Sequence, residues 1–255
     1  MSSNIVLHIP HASTYLTAVD VPIVAIMSGA TGAFVKFLMS QFLPMTDWYT
    51  DELFINGIGV PVVAPVSRII CDVERFRDDE KEPMAKIGMG VCYEKSYDLK
   101  HNIVWRKGHK EWVLENIYDI HHKIFELAVD RAMDEKPYKA LIIDCHSFSP
   151  VPLPYEPDQN PDRPDICLGI DSFHTPDWLV NESLSFFKSK GYSVKVNSPY
   201  SGTMVPIRHY KKNKWVESIM IELNRGLYLK EGTNDKNDYF PVLKQHIAEY
   251  QQEIK

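Results

Sequence analysis

The sequence predicts an α/β fold built on a mainly parallel or mixed sheet. Short apolar runs that read as strands alternate with longer stretches of helical period. Several of those runs are apolar at nearly every position, the pattern of a sheet covered on both faces. The 255 residues are 44% hydrophobic and 24% charged, the composition of an ordinary globular chain. They are read as one domain over residues 1–255, with no internal repeat, low-complexity tract or clear linker.

The first strand falls at 4–9 (NIVLHI), short and β-branched. Residues 21–43 read as helical despite Gly29 and Gly32. A second strand, 60–66, carries Pro61 and Pro65 and is therefore irregular or at an edge. A third apolar run follows at 68–73 (RIICDV). From 111 to 133, Val113, Ile117, Ile120, Ile124 and Leu127 recur in steps of four, three, four and three, one face of a helix. The run 140–145 (ALIIDC) is continuous and apolar, and strands at 166–170, 193–197 and 216–223 complete the set. Residues 177–190 form a helix with Gly191 as its C′ residue. A last helix covers 239–254, with Pro241 near its start. The segment 150–164 holds six prolines and is too long for a simple connector, and sites are often built from such loops.

Composition excludes several function classes. Lys plus Arg number 28 against 34 Asp plus Glu, a formal charge of −6, which argues against a general nucleic-acid binder. The four cysteines form no C-x-x-C pair and are expected as buried thiols of a cytoplasmic protein. The N-terminal MSSNIVLHIPHAS has no basic leader and no long apolar stretch, so no signal peptide is expected. No apolar run approaches the ~18 residues that span a membrane. No G-x-S-x-G elbow, Walker A loop or G-x-G-x-x-G is present.

In open α/β sheets, ligands lie beyond the carboxyl ends of strands. Four strand-like runs end in titratable residues: His8 to His11, Asp72 to Arg75, Asp144 to Ser147, and Glu222 to Arg225. His11 and His146 each directly follow apolar stretches, and Pro10 fixes φ just before His11. Two imidazoles and a carboxylate are the usual protein share of a catalytic zinc site. Asp47 and Asp51 both stand in PMTDWYTDELF, and spacing does not choose between them. Glu222 lies in an apolar strand on the face of Val216, Ser218 and Met220. A carboxylate there is either paired with an arginine or a general base for a metal-activated water. Arg68, Arg75, Arg208 and Arg225 are candidates to take a carboxylate bidentately or to steady an oxyanion, and each alone is as readily a structural partner of an acid.

Taken in order, eight motifs resemble the N-formylglutamate amidohydrolase (deformylase) family. They are IPHAS (9–13), TDWYTDELF (46–54), SRIICDVERF (67–76), YDIHH (118–122), IIDCHSF (142–148), DICLG (165–169), NSPYSGT (197–203) and IELNRGLYL (221–229). The resemblance implies a three-layer α/β/α fold with a mixed sheet, of the phosphorylase/hydrolase type and related to zinc carboxypeptidases and aspartoacylases. It implies a zinc-dependent hydrolase that cleaves N-formyl-L-glutamate to formate and glutamate, the last step of one histidine-degradation route. One zinc ion per chain is implied, with His11, Asp51 and His146 as ligands and Asp47 as the rival carboxylate. Glu222 matches the general base, Arg68 and Arg75 the oxyanion or substrate-carboxylate site, and Asn197 and Arg225 the pocket. His122 matches a family histidine without an assigned role. The implied partner is a small anionic N-acyl amino acid, with no nucleic acid and no membrane. The sequence departs from the family at Glu74, where Asn is more usual, and at PYSGT, where a Gly-Gly pair is more usual; the Pro-rich loop is of its own kind. Two other readings remain: a non-catalytic protein that binds an acidic N-acyl amino acid or a protein partner, and a metal-free hydrolase using Ser147.

Overall fold

The computed structural model describes residues 4–16, 40, 44–134 and 136–254. The helix expected over 21–43 falls, except for residue 40, outside the described residues.

Six strands form one mixed sheet. They are β1 (Ile5–Ile9), β2 (Val60–Val63), β3 (Ala140–Phe148), β4 (Ile166–Gly169), β5 (Val194–Val196) and β6 (Val216–Asn224). Their order is β2-β1-β3-β6-β4-β5, and all neighbours are parallel except β4 and β6. β3 and β6 are buried at all nine positions, as runs covered on both faces must be. β2 is an outer strand exposed at three of four positions, which is where Pro61 is tolerated.

Side-chain alternation divides the core in two. Ile5, Leu7, Ile143, Cys145, Ile219 and Ile221 pack under the helices α1 (Thr50–Phe54), α4 (Asp177–Ser189) and α5 (Phe240–Glu253). Val6, Ala140, Ile142 and Val216 pack under α3 (Asp119–Asp134). The result is three layers. Gly191 ends α4 at φ 89°, the left-handed conformation a C′ glycine supplies without strain. Pro241 sits in the first turn of α5. No helix among the described residues is long and apolar enough to cross a membrane.

Two expectations are overturned. The run 68–73 is a turn: the amides of Ile70 and Cys71 both bond to the Ser67 carbonyl. It is apolar because Ile70, Cys71 and Val73 are buried in a satellite core, and a short apolar run looks the same whether it is strand or buried turn. The long helix also buries a different face. It consists of α2 (His109–Val113), a π turn (Leu114–Tyr118) and α3 in continuous succession. Val113 and Ile117 face the core, but after the π turn the buried residues are His121, Phe125, Ala128, Val129 and Ala132. Ile120, Ile124 and Leu127 are exposed. The wider turn holds an additional residue, so the inward face moves on by one position.

Candidate functional site

The carboxyl ends of β1, β3 and β6 set out the polar centre. His8 pairs in register with Asp144, and His146 with Glu222, so all four side chains leave the sheet on the face covered by α3. His11 lies just past β1. Asp47 is brought to it by a bond from its own amide to the His11 carbonyl, 3.0 Å. His11, Asp47, Asp72, Asp144, His146 and Glu222 are all buried.

The two imidazoles share one orientation. Asp47 Oδ2 accepts from His146 Nδ1 at 3.1 Å and from the Ser147 amide at 3.2 Å, and lies 3.6 Å from His11 Nδ1. The Nε2 atoms face outer carboxylates. His11 Nε2 donates to Asp72 at 2.9 Å, and His146 Nε2 to Glu74 at 3.0 Å and Asp144 at 3.2 Å. Asp144 also accepts from His8 Nδ1 at 2.8 Å and from the Met204 amide at 2.8 Å. His8 Nε2 in turn meets His121 Nε2 at 3.1 Å. Burial, with His8 and His122 adding to it, pushes His121 down to about 2, so that imidazole is neutral. Among the buried atoms without a hydrogen-bond partner are His11 Nδ1 and Glu222 Oε2.

Carboxylate-backed histidines of this kind have the donor types that can hold a divalent cation, each imidazole being steadied through its other nitrogen. Among the described residues, His11, Glu74 and His146 offer ligand atoms within 4.8 Å of one another, as do His8, Glu74 and Asp144. Glu74 stands on the Nε2 side, where Asp72 and Asp144 already accept from the histidines. The unpartnered His11 Nδ1 points to the other side, where Asp47 is. A His/carboxylate set of this kind suits zinc.

The charges are strongly displaced from their ordinary values. Burial opposes ionisation of Asp47, but His11 and His146 more than offset it and hold the carboxyl far below its usual range. Burial likewise opposes the His146 cation, but Glu74, Asp144 and Asp47 hold it well above its usual value. Glu222 behaves oppositely. Burial, with Asp47 and Glu74 adding to it, pushes it up to about 8, against the pull of His146 and Arg68.

The centre opens into a cavity of about 410 Å³ that Arg68, Arg75 and Glu222 also line. Asp72 anchors both arginines, Arg68 at 2.9 Å and Arg75 at 3.3 Å, and accepts from the Tyr93 hydroxyl at 2.5 Å. The Pro-rich loop forms a wall through Leu153, Tyr155, Glu156 and Pro157. Behind that wall the buried Arg163 donates to the Glu156 carboxylate and to the Ser149 and Asp158 carbonyls.

Most of the sequence candidates thus line one cavity: His11, Asp47, Arg68, Arg75, His146, Glu222 and Arg225. The others are placed differently. The carboxylate beside the histidines is Asp47; Asp51, in the first turn of α1, does not line the cavity. Asn197 is also outside it. Its left-handed backbone and its side-chain bond from the Ile170 amide, 2.9 Å, make it a turn residue. Arg225 lines the cavity, and its two terminal nitrogens donate to the Thr46 and Pro44 carbonyls. His122 bonds the Val73 carbonyl at 2.8 Å and so steadies the loop that bears Asp72 and Glu74. Arg208 pairs with Asp130. Neither ring nitrogen of His146 faces the Ser147 hydroxyl; both are taken by carboxylates, which removes the base a serine nucleophile needs. The sequence places Asp144 and His8 at titratable strand ends without a role of their own, and alternation along β3 puts Asp144 on the face of His146.

Residues 3–229 match the family model described as N-formylglutamate amidohydrolase. The chain is similar in structure to an N-formylglutamate amidohydrolase from Ralstonia eutropha JMP134. The TM-score is 0.78 at 21% identity, covering 99% of this chain and 93% of that one. It is also similar to a gene product of Agrobacterium tumefaciens, with a TM-score of 0.65 at 17% identity, covering 99% and 92% of the two chains. At these identities the likeness speaks for the fold. No curated protein matches the sequence.

Proposed function

The chain belongs to the N-formylglutamate amidohydrolase family, and from that membership and the site geometry we propose that it hydrolyses the formyl amide of N-formyl-L-glutamate, or of a closely similar N-acyl amino acid, with the help of one zinc ion. The observation that carries this reading is the pair of buried imidazoles whose Nδ1 atoms turn to Asp47, with the partnerless Glu222 oxygen lining the same cavity. His11, His146 and Asp47 would hold the ion, with Asp72, Asp144 and Glu74 behind the histidines. An ion there supplies Lewis acidity to the amide carbonyl and lowers the pKa of a water toward ~7.

The protein's own groups do the rest. Glu222, raised to about 8, is basic enough to take a proton from the attacking water and acidic enough to return it to the leaving amine. Arg68 and Arg75, fixed on Asp72, supply positive charge for the substrate carboxylate and the tetrahedral oxyanion. An acidic protein that binds an anion needs such a local cationic wall.

Elemental analysis of protein purified without a metal resin tests the ion. About one zinc per chain is expected, lost in His146→Ala. Glu222→Gln is expected to keep the zinc while kcat falls by about 10²- to 10⁴-fold. Full turnover in Glu222→Gln, or no metal uptake from added zinc, defeats the reading. Tight binding of N-formyl-L-glutamate with no turnover by the zinc-loaded wild type makes the protein a binding module instead.

A further inference from the structure

We propose that Arg225 is a positioning residue, which sets Asp47 at the metal centre instead of contacting the substrate carboxylate. The inference rests on the metal site proposed above and names a device that holds it together. Arg225 follows directly on β6, the strand that carries Glu222, and opens a short 3-10 turn, Arg225–Leu227. That turn is locked in place. The Asn224 side chain accepts from the Gly226 amide and donates to the Pro164 carbonyl, each at 3.0 Å.

From this base the buried guanidinium reaches the segment that carries Asp47. Nη1 donates to the Thr46 carbonyl at 2.5 Å and Nη2 to the Pro44 carbonyl at 2.7 Å, while Nη1 lies 3.8 Å from Asp47 Oδ1. On the far side the Asp47 amide bonds to the His11 carbonyl at 3.0 Å. Asp47 is thus held between β1, through His11, and the end of β6, through Arg225. The clasp needs a planar fork with two terminal nitrogens; a lysine ammonium keeps the charge but not the span between two carbonyls. It also ties the ligand loop to the strand of the general base, so one side chain governs the spacing of two functional carboxylates.

The test is zinc affinity, measured by competition with a chromophoric chelator, in wild type, Arg225→Lys and Arg225→Ala. Loss of such a supporting contact typically weakens metal binding about 10- to 100-fold. Both variants are expected to show a loss of that size. KM for N-formyl-L-glutamate at saturating zinc is expected to stay within about twofold, and millimolar guanidinium is expected to restore zinc affinity to Arg225→Ala. In an Asp47→Asn background, Arg225→Lys should add nothing, since both act through the same ligand. Unchanged zinc affinity with KM raised tenfold or more makes Arg225 a substrate residue and overturns the proposal, as do losses that add to those of Asp47→Asn. A wild type that takes up no zinc overturns the metal reading itself. If Arg225→Ala does not fold, the lysine variant, with its retained charge and stem, decides.

Discussion

A buried imidazole presents one nitrogen to a metal only if its neighbours hold the other. Asp72 and Asp144 do this for His11 and His146, which leaves both Nδ1 atoms turned to Asp47. The choice between Asp47 and Asp51 is therefore testable at single residues. Asp47→Asn is expected to weaken zinc binding by at least tenfold, whereas Asp51→Asn leaves it within twofold; the reverse order, read by chelator competition, would return Asp51 to the centre. The histidines were legible in the sequence because each follows an apolar strand, and Glu222 because a carboxylate in such a strand needs a reason. The Asp47 position was not. Both aspartates sit in one loop, and what separates them is an amide bond to the His11 carbonyl, a contact between residues 36 positions apart that no local pattern encodes. Asn197 and Arg225 show a related limit. Arg225 does line the cavity, with its terminal nitrogens on the Thr46 and Pro44 carbonyls, whereas Asn197 lies outside it and takes the Ile170 amide.

At the scale of elements, the helix that covers the site shows how a periodic pattern can be read correctly and placed wrongly. The steps of four and three are real, yet the π turn shifts the inward face by one residue, from Ile124 to Phe125. The shift brings His121 to His8 and stacks Phe125 on the His8 ring, centroids 4.4 Å apart. Phe125→Ala is expected to cost about 3–5 kcal/mol of stability, as fully buried aromatics do, and Ile124→Ala, at an exposed position, about 0.5 kcal/mol or less. Urea unfolding of the two variants decides it; a larger loss in Ile124→Ala than in Phe125→Ala would mean the face read from the sequence was the buried one. The same shift weakens the support of Asp144 when Phe125 is removed, so Phe125→Ala should also lower zinc affinity, which Ile124→Ala should not. The apolar run 68–73 went astray for a different reason. Hydrophobicity reports burial, and burial is shared by strands and by turns that cover a satellite core.

For the whole molecule, the end of the sheet and the loops beside it gather Asp47, Asp72, Glu74, Asp144 and Glu222 around two histidines, and this gives stability a distinctive dependence on pH when no metal is bound. Asp47, Asp72 and Asp144 are depressed in the folded state, so their contribution is present above about pH 4 and is lost as pH falls through their folded values. His146 is raised, so its contribution is complete below about pH 6.5 and fades as pH rises through its folded value. Glu222 is raised from 4.5 to about 8, so the folded chain holds a proton that the unfolded chain has released, and stability falls as pH climbs across that window. All three trends favour a stability maximum near pH 5 for the metal-free protein. Zinc bound as proposed would act with the opposite slope. Its ligands must shed their protons, so binding strengthens with pH, and at ~1,000 times its Kd it adds about 4 kcal/mol. Calorimetry at pH 6 and pH 8.5, with zinc and with chelator, should therefore show the two melting temperatures diverging as pH rises. The chelated protein should lose stability between the two pH values, and Glu222→Gln should blunt that loss because it removes the proton that the fold retains. Melting curves that stay parallel across the range would mean that no cation binds against these carboxylates, and the charge pattern at the end of the sheet would then be a feature of the apo fold alone.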